Sequence, residues 1–143
     1  MSDKILSISV ASYNVERFIE QAIDSYLACN CKEKIEVLIV NDGSTDKTEE
    51  IVKKYSEQYP GIIKLINQKN AGPGSTVNTG LKNASGKYFR MIDGDDWVKS
   101  DEMDSYIDFL ENNEIDMVVT NFIEVDDKTG KQRYAKNGTL QYT

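Results

Sequence analysis

Apolar positions alternate along the chain between two patterns. Short, nearly unbroken runs at Ile5–Val10, Ile35–Val40, Ile62–Asn67 and "KYFRMI" (Lys87–Ile92) read as strands. Stripes at helical spacing lie between them. The first is Phe18, Ile19, Ala22, Ile23, Tyr26 and Leu27; the second is Ile51, Val52, Tyr55 and Tyr59. Asp46 and Glu49 predict an N-cap and N3 pair for the second helix, and Pro60-Gly61 predicts its stop. Ser75 to Ala84 predicts a shorter helix with Val77 and Leu81 facing inward. Met103, Tyr106, Ile107 and Leu110 predict a fourth, capped by Ser100. "DMVVTNFIEV" (Asp116–Val125) then reads as a fifth strand, "DDKTG" as a turn and "KQRYA" as a returning hairpin arm.

Fourfold strand–helix alternation predicts an α/β fold with a doubly wound, mainly parallel sheet. Right-handed crossovers favour the strand order 3-2-1-4, with a C-terminal hairpin-like extension. In such sheets ligands bind beyond the carboxyl ends of the strands, at the switch point, here between the first and fourth strands. Four polar stretches follow strand ends: Ala11–Asn14, Asn41–Thr45, Asn67–Gly74 and Asp93–Asp96. They are expected to share one edge.

Composition narrows the chemistry. A length of 143 residues, 39% hydrophobic and 29% charged, fits one globular domain over 1–143. A net charge of −7 argues against a nucleic-acid partner, which needs clustered Lys and Arg. No apolar run approaches the ~18 residues of a transmembrane segment, and the first residues carry no secretory pattern, so a cytoplasmic protein is expected. The chain has no histidine, which excludes Ser-His and Cys-His nucleophiles and His-ligated metals. Cys29 and Cys31 are too close for an easy disulfide and too few for a zinc site, and read as ordinary thiols in a reducing compartment. Carboxylates, amides, hydroxyls and backbone must supply the chemistry.

Two stretches stand out. "NAGPGS" (Asn70–Ser75) fits neither a P-loop nor a dinucleotide fingerprint, yet Gly72 and Gly74 permit close backbone approach beside a helix N-terminus. From these residues alone, a tight turn before a helix is the better explanation. "DGDD" (Asp93–Asp96) directly follows a strand that reads as buried on both faces. Neighbouring carboxylates raise one another's pKa unless a cation intervenes. Oxygen donors select Mg²⁺ or Mn²⁺, which is usually held by one or two carboxylates plus a phosphorylated partner.

In order, "ISVASYNVERFIEQAIDSYL", "EVLIVNDGSTDKTEEIV" and "NAGPGSTVNTGLKNASGKYFRMIDGDDWV" resemble family 2 glycosyltransferases, the inverting, nucleotide-sugar-dependent enzymes of GT-A fold. The resemblance covers about Leu6 to Asn121. It implies that Asp42 accepts a hydrogen bond from the nucleotide base, typically uracil, and that Tyr13 packs on that base. Ala11 would lend backbone contacts, and Glu16 would lie near the ribose. Asn70 and Gly72 would shape the loop beside the sugar and diphosphate. Asp93 and Gly94 would lie near the ribose and metal, with Asp95 as metal ligand and Asp96 as a second ligand or supporting group.

The implied partners are a nucleotide-diphosphate sugar, with UDP expected, and a saccharide or lipid-linked acceptor. Peripheral membrane association of the full-length enzyme is also expected, as are products of the cell envelope or exopolysaccharide. Two departures stand out: Thr76 and Val77 occupy positions where the family often has Ala-Arg, and Ala11 replaces a frequent Pro. In the family the general base and the acceptor segment follow the nucleotide-binding half. The expectation is therefore an N-terminal piece of a longer enzyme, with its general base beyond Thr143. A non-catalytic nucleotide- or metal-binding module is the alternative for this chain.

Overall fold

The computed structural model describes residues 3–135; the ends of the expected domain, 1–2 and 136–143, lie outside them. The elements follow in the order β1 (Leu6–Ser12), α1 (Ile19–Leu27), β2 (Ile35–Asp42), α2 (Thr48–Gln58), β3 (Ile63–Gln68), α3 (Pro73–Asn83), β4 (Tyr88–Asp93), α4 (Ser100–Asn112), β5 (Phe122–Val125) and β6 (Gln132–Ala135). They form two compact units, one ending at Asn113 and one beginning at Glu114. No described helix is long and apolar enough to cross a membrane.

The first unit is a parallel sheet in the order β3-β2-β1-β4, as the alternation predicts. Leu6 sits opposite both Ile35 and Tyr88, which sets the register of the two inner ladders. Every residue of β2 is buried, as expected for a strand covered by helices on both faces. Ile19, Ala22, Ile23 and Tyr26 of α1, Val52 of α2, and Met103, Ile107 and Leu110 of α4 complete the core. All four strands of the sheet outrun their apolar runs. β1 extends to Ser12, β2 to Asp42, β3 to Gln68 and β4 to Asp93, because ladder hydrogen bonds are made by the backbone whatever the side chain. The polar residues at these ends are therefore fixed within strands, not carried on loose loops.

Several expectations are corrected. Among the described residues β4 pairs only with β1 and so lies at the edge of the described sheet: Tyr88, Phe89, Arg90 and Ile92 are half-buried and Met91 is 55% exposed. In α3, Leu81 is 57% exposed and the buried residues are Thr76 and Gly80. That helix approaches β1 so closely that a Cβ on Gly80 would stand 1.9 Å from Ser9 Oγ, leaving room only for small residues on its inner face. The capping assignments also move. Lys47 and Lys99 are the N-cap residues; Asp46 instead accepts from Thr48, Glu49 accepts from Asn67, and Ser100 Oγ donates to the Ser25 carbonyl.

The second unit carries the expected hairpin, with Phe122 opposite Ala135 and Val125 opposite Gln132. Its turn is organised by Asp126, whose carboxylate accepts the N–H groups of Lys128 and Thr129, with Gly130 at φ 69°. The fifth strand is shorter than expected, since residues 116–121 pair with no described strand and Met117 and Val119 are exposed. Strand propensity depends on a neighbour to pack against.

At the opposite end of the sheet from the polar strand ends, Glu36 of β2 is wholly buried. It accepts from Ser7 Oγ at 2.5 Å, from Ser85 N at 2.6 Å and Ser85 Oγ at 2.9 Å, and pairs with Lys64 Nζ at 2.9 Å. Burial opposes ionisation, but these donors outweigh it and bring the pKa down to about 2. A carboxylate depressed in the folded state contributes stability that is present above its unfolded pKa, near 4.5, and lost as pH falls through about 2. Glu36→Gln is expected to cost about 1–3 kcal/mol near neutral pH. The variant should also lose less stability than the parent between pH 4.5 and 2, and urea denaturation across that window checks both outcomes.

Candidate functional site

The predicted polar stretches meet at the carboxyl edge of the sheet, held to one another by hydrogen bonds. Asn14 adopts φ 51°, and its side-chain oxygen accepts the N–H groups of Thr45 at 2.8 Å and Asp46 at 3.3 Å. Val15 N donates to Thr48 Oγ1, Glu16 N donates to Asp46 Oδ2, and Lys47 N donates to Glu16 Oε2. The loop after β1 is thus fastened to the loop after β2. Glu16 is exposed and engaged in this fastening, while Tyr13 beside it is 52% exposed.

Asp42 is the last residue of β2 and is 5% exposed. Its Oδ1 accepts Gln68 Nε2 at 2.8 Å and Ala71 N at 2.9 Å; Oδ2 accepts Gly72 N at 3.0 Å. Burial would raise its pKa, but the three donors hold it below the usual carboxylate range. Asn70 Nδ2 donates to the Asp42 carbonyl at 3.0 Å. Gly43, at φ 72°, lies so close that a Cβ there would come 2.8 Å from Asn70 N. The "NAGPG" loop is therefore shaped by Asp42, and Gly72 at φ 86° lets it turn into α3. A carboxylate offers about four acceptor sites, so Oδ2 keeps capacity for one more donor.

Asp93 ends β4 opposite Ala11. Gly94 is buried, and its N–H donates to the Ala11 carbonyl at 2.9 Å; the turn closes with Asp96 N on the Asp93 carbonyl at 3.0 Å. A Cβ on Gly94 would fall 2.9 Å from Ser12 Oγ and 3.0 Å from Val15 Cγ2, so glycine lets the turn seat against β1. Asp93, Asp95 and Asp96 are exposed, and one carboxylate oxygen from each lies within 4.8 Å of the others. Partial desolvation of its carboxyl by the neighbouring protein, with Asp95 and Asp93 adding like charge, raises the pKa of Asp96. An all-oxygen set with mutual repulsion and solvent access fits a hard divalent cation.

The fold thus brings Asp42, Asn70 and Gly72 into one cluster and Ala11, Gly94 and the three aspartates into another. Since β1 separates β2 from β4, the clusters stand two strand spacings apart, about 10 Å. Sequence reasoning placed Asn41, Asn67 and Gln68 on this edge but gave them no role: Gln68 links Asp42 to Thr79 of α3, and Asn41 and Asn67 bond each other at 2.9 Å. Their only signal was an amide at the end of a strand.

An open parallel sheet in the order β3-β2-β1-β4, with these clusters on its carboxyl edge, defines a doubly wound α/β domain with its candidate site at the switch point. The chain belongs to glycosyl transferase family 2, whose profile matches residues 7–143. It is 37% identical over 130 residues to the glycosyltransferase GlyA of Streptococcus pneumoniae, covering 91% of this chain and 18% of that protein. It is 35% identical over 128 residues to the minor teichoic acid biosynthesis protein GgaB of Bacillus subtilis, covering 87% of this chain and 14% of that protein. S. aureus TarS in complex with UDP superposes with a TM-score of 0.67 at 30% identity, over 75% of this chain and 32% of that one. The mannosyltransferase PcManGT of Pyrobaculum calidifontis, in complex with GDP-Man and Mn²⁺, gives 0.64 at 25% identity, over 71% and 30%. The chain spans 18% and 14% of the two relatives, and 32% and 30% of the two solved chains, that of TarS being residues 1–349.

Asp42→Asn tests the organising role of that carboxylate. Its amide nitrogen would face donors where the native oxygen accepts, so a loss of about 1–3 kcal/mol is expected. Faster amide hydrogen exchange at Ala71 and Gly72 than in the parent protein is the local readout.

Proposed function

We propose that the chain is the donor-binding part of an inverting glycosyltransferase, one that moves a sugar from a UDP-sugar to a hydroxyl of a saccharide or lipid-linked acceptor. Cell-envelope or exopolysaccharide synthesis is the setting the relatives favour. The carrying observation is the pair of carboxylate clusters at the ends of β2 and β4. One offers a buried, ionised acceptor, and the other offers three carboxylate oxygens within 4.8 Å.

Each residue has a part in this reading. The spare lone pair of Asp42 accepts the imide N–H of a uracil, while Tyr13 supplies an exposed ring against which the base packs. Glu16 faces the ribose, and Asn70 and Gly72 line the sugar and diphosphate. Backbone at Ala11 and Gly94 fixes the floor, since these two residues are bonded to each other. Asp95, with Asp93 and Asp96, would hold Mg²⁺ or Mn²⁺, and a bound divalent ion supplies Lewis-acid neutralisation of charge on the departing diphosphate. In the reaction, a bond forms from the acceptor oxygen to the anomeric carbon as the bond to the diphosphate oxygen breaks on the opposite face. The hydroxyl proton passes to a carboxylate base.

Calorimetry with UDP tests this reading. Binding is expected with Mn²⁺ and to weaken about tenfold or more with EDTA, a difference of at least 1.4 kcal/mol. Asp95→Ala should abolish the metal-dependent part, and equal, metal-independent binding by both proteins would overturn the assignment. The uracil contact is checked separately by a thermal-shift panel, in which UDP is expected to raise the melting midpoint more than ADP. A preference for ADP would refute the role of Asp42.

A further inference from the structure

We propose that Cys29, Cys31 and Asp104 form a second cation site, separate from the acidic turn, which takes a thiophilic divalent ion such as Zn²⁺ and fastens the end of α1 to α4. Two cysteines alone fall short of a zinc site, but the fold brings a third donor from 73 residues further along the chain. Cys29 and Cys31 lie in the connection from α1 to β2, with their sulfurs 2.8 Å apart. Asp104 projects from α4, and one of its oxygens and the two sulfurs all lie within 4.8 Å of one another.

The surroundings suit a bound ion. Asp104 Oδ1 accepts Cys31 N–H at 2.8 Å and Oδ2 accepts Asn30 Nδ2 at 3.0 Å, so backbone and amide hold the carboxylate beside the thiols. Such supporting hydrogen bonds commonly orient the ligands of metal sites. Cys29 is 3% exposed and Cys31 9%, which shields the sulfurs from water. The interface is already anchored nearby: Val98 N donates to Ser25 Oγ, and Ser100 Oγ to the Ser25 carbonyl.

Donor type selects the ion. Binding releases two protons as two S–H groups become metal-bound thiolates. Thiolate donors favour Zn²⁺ over Mg²⁺ and Mn²⁺, the reverse of the all-oxygen turn at Asp93–Asp96. With Zn–S bonds of about 2.3 Å, a tetrahedral site needs sulfurs about 3.8 Å apart. The pair must therefore part by about 1 Å from its present separation, a movement within reach of a side-chain rotation. Three protein donors leave the fourth position to water.

The test uses the whole chain carrying Asp95→Ala, so that the acidic turn is impaired, reduced with a phosphine and stripped of metal. Titration with Co²⁺ is expected to produce a sulfur-to-metal charge-transfer band that saturates at one equivalent and is displaced by Zn²⁺. Adding Cys31→Ser should abolish the band, and adding Asp104→Asn should weaken Co²⁺ binding by about tenfold or more. Zn²⁺ should raise the melting midpoint of the Asp95→Ala protein and leave that of its Cys31→Ser derivative unchanged, because an ion bound to the folded state stabilises it. A folded Asp95→Ala protein with no charge-transfer band, or a band that survives Cys31→Ser, would overturn the proposal. Neither result bears on UDP binding by the parent protein.

Discussion

The sheet unit depends on how closely three segments can approach strand β1. Ser7, Ser9 and Ser12 each lie against a glycine, namely Gly86, Gly80 and Gly94. A Cβ on these glycines would come within 2.7 Å of Ser7 N, 1.9 Å of Ser9 Oγ and 2.9 Å of Ser12 Oγ, respectively. Contacts that short require something to move, so each glycine fixes the distance of its own segment from β1. Gly80 sets α3 on the sheet, Gly86 sets the entry to β4, and Gly94 sets the acidic turn. Gly86 N–H also donates to Ser7 Oγ, which in turn donates to Glu36, so close approach at that end is joined to the buried charge of β2. The geometry of the acidic turn is thus inherited from the packing of the first strand.

Much of this architecture is legible in the sequence because the relevant signals are local. Continuous apolar runs alternating with helical stripes fix the number of strands, their parallel arrangement and the edge on which the polar ends gather. The resemblance of the ordered motifs adds the family. What escapes are contacts between distant positions. Nothing in the sequence near Gly80 announces that Ser9 faces it, so the inner face of α3 reads as Val77 and Leu81 when the buried residues are Thr76 and Gly80. Likewise a strand's burial depends on its neighbours: "YFRMI" is apolar enough for the middle of a sheet yet, among the described residues, pairs on one side only. Caps are missed for a related reason. Glu49 and Ser100 have partners outside their own helix ends, and Asp46 divides its carboxylate between Thr48 of α2 and the N–H of Glu16, so tertiary hydrogen bonds override the local capping pattern.

The site residues divide in the same way. The expectation that Asp42, Asn70 and Gly72 act together rests on resemblance, whereas the structure gives a physical reason for their proximity. Asp42 is the acceptor around which the loop from Asn70 to Gly72 is folded. Any ligand group read by Asp42 is therefore read by a carboxylate already held in place, with no reorganisation required of the loop. That arrangement also explains how an ionised group tolerates a position only 5% exposed: its charge is met by two backbone N–H groups and an amide.

Two carboxylate clusters on neighbouring parts of one edge thus treat their charge in opposite ways. At the end of β2, donors from the chain itself satisfy Asp42, which stays ionised below the usual carboxylate range. At the end of β4, the chain brings like charges together, and Asp96 holds its proton to higher pH than an ordinary aspartate. Asp42 is consequently complete as folded, with room for one neutral donor, whereas the turn from Asp93 to Asp96 gains only when positive charge arrives from outside. The difference follows from backbone supply. The loop after β3 presents two N–H groups to Asp42, while the N–H groups of Gly94 and Asp96 are spent on the carbonyls of Ala11 and Asp93. Under the proposed function, a carboxylate cluster whose nearby donors are already committed to the backbone is left to recruit a cation, and the acidic turn is then the responsive half of the edge.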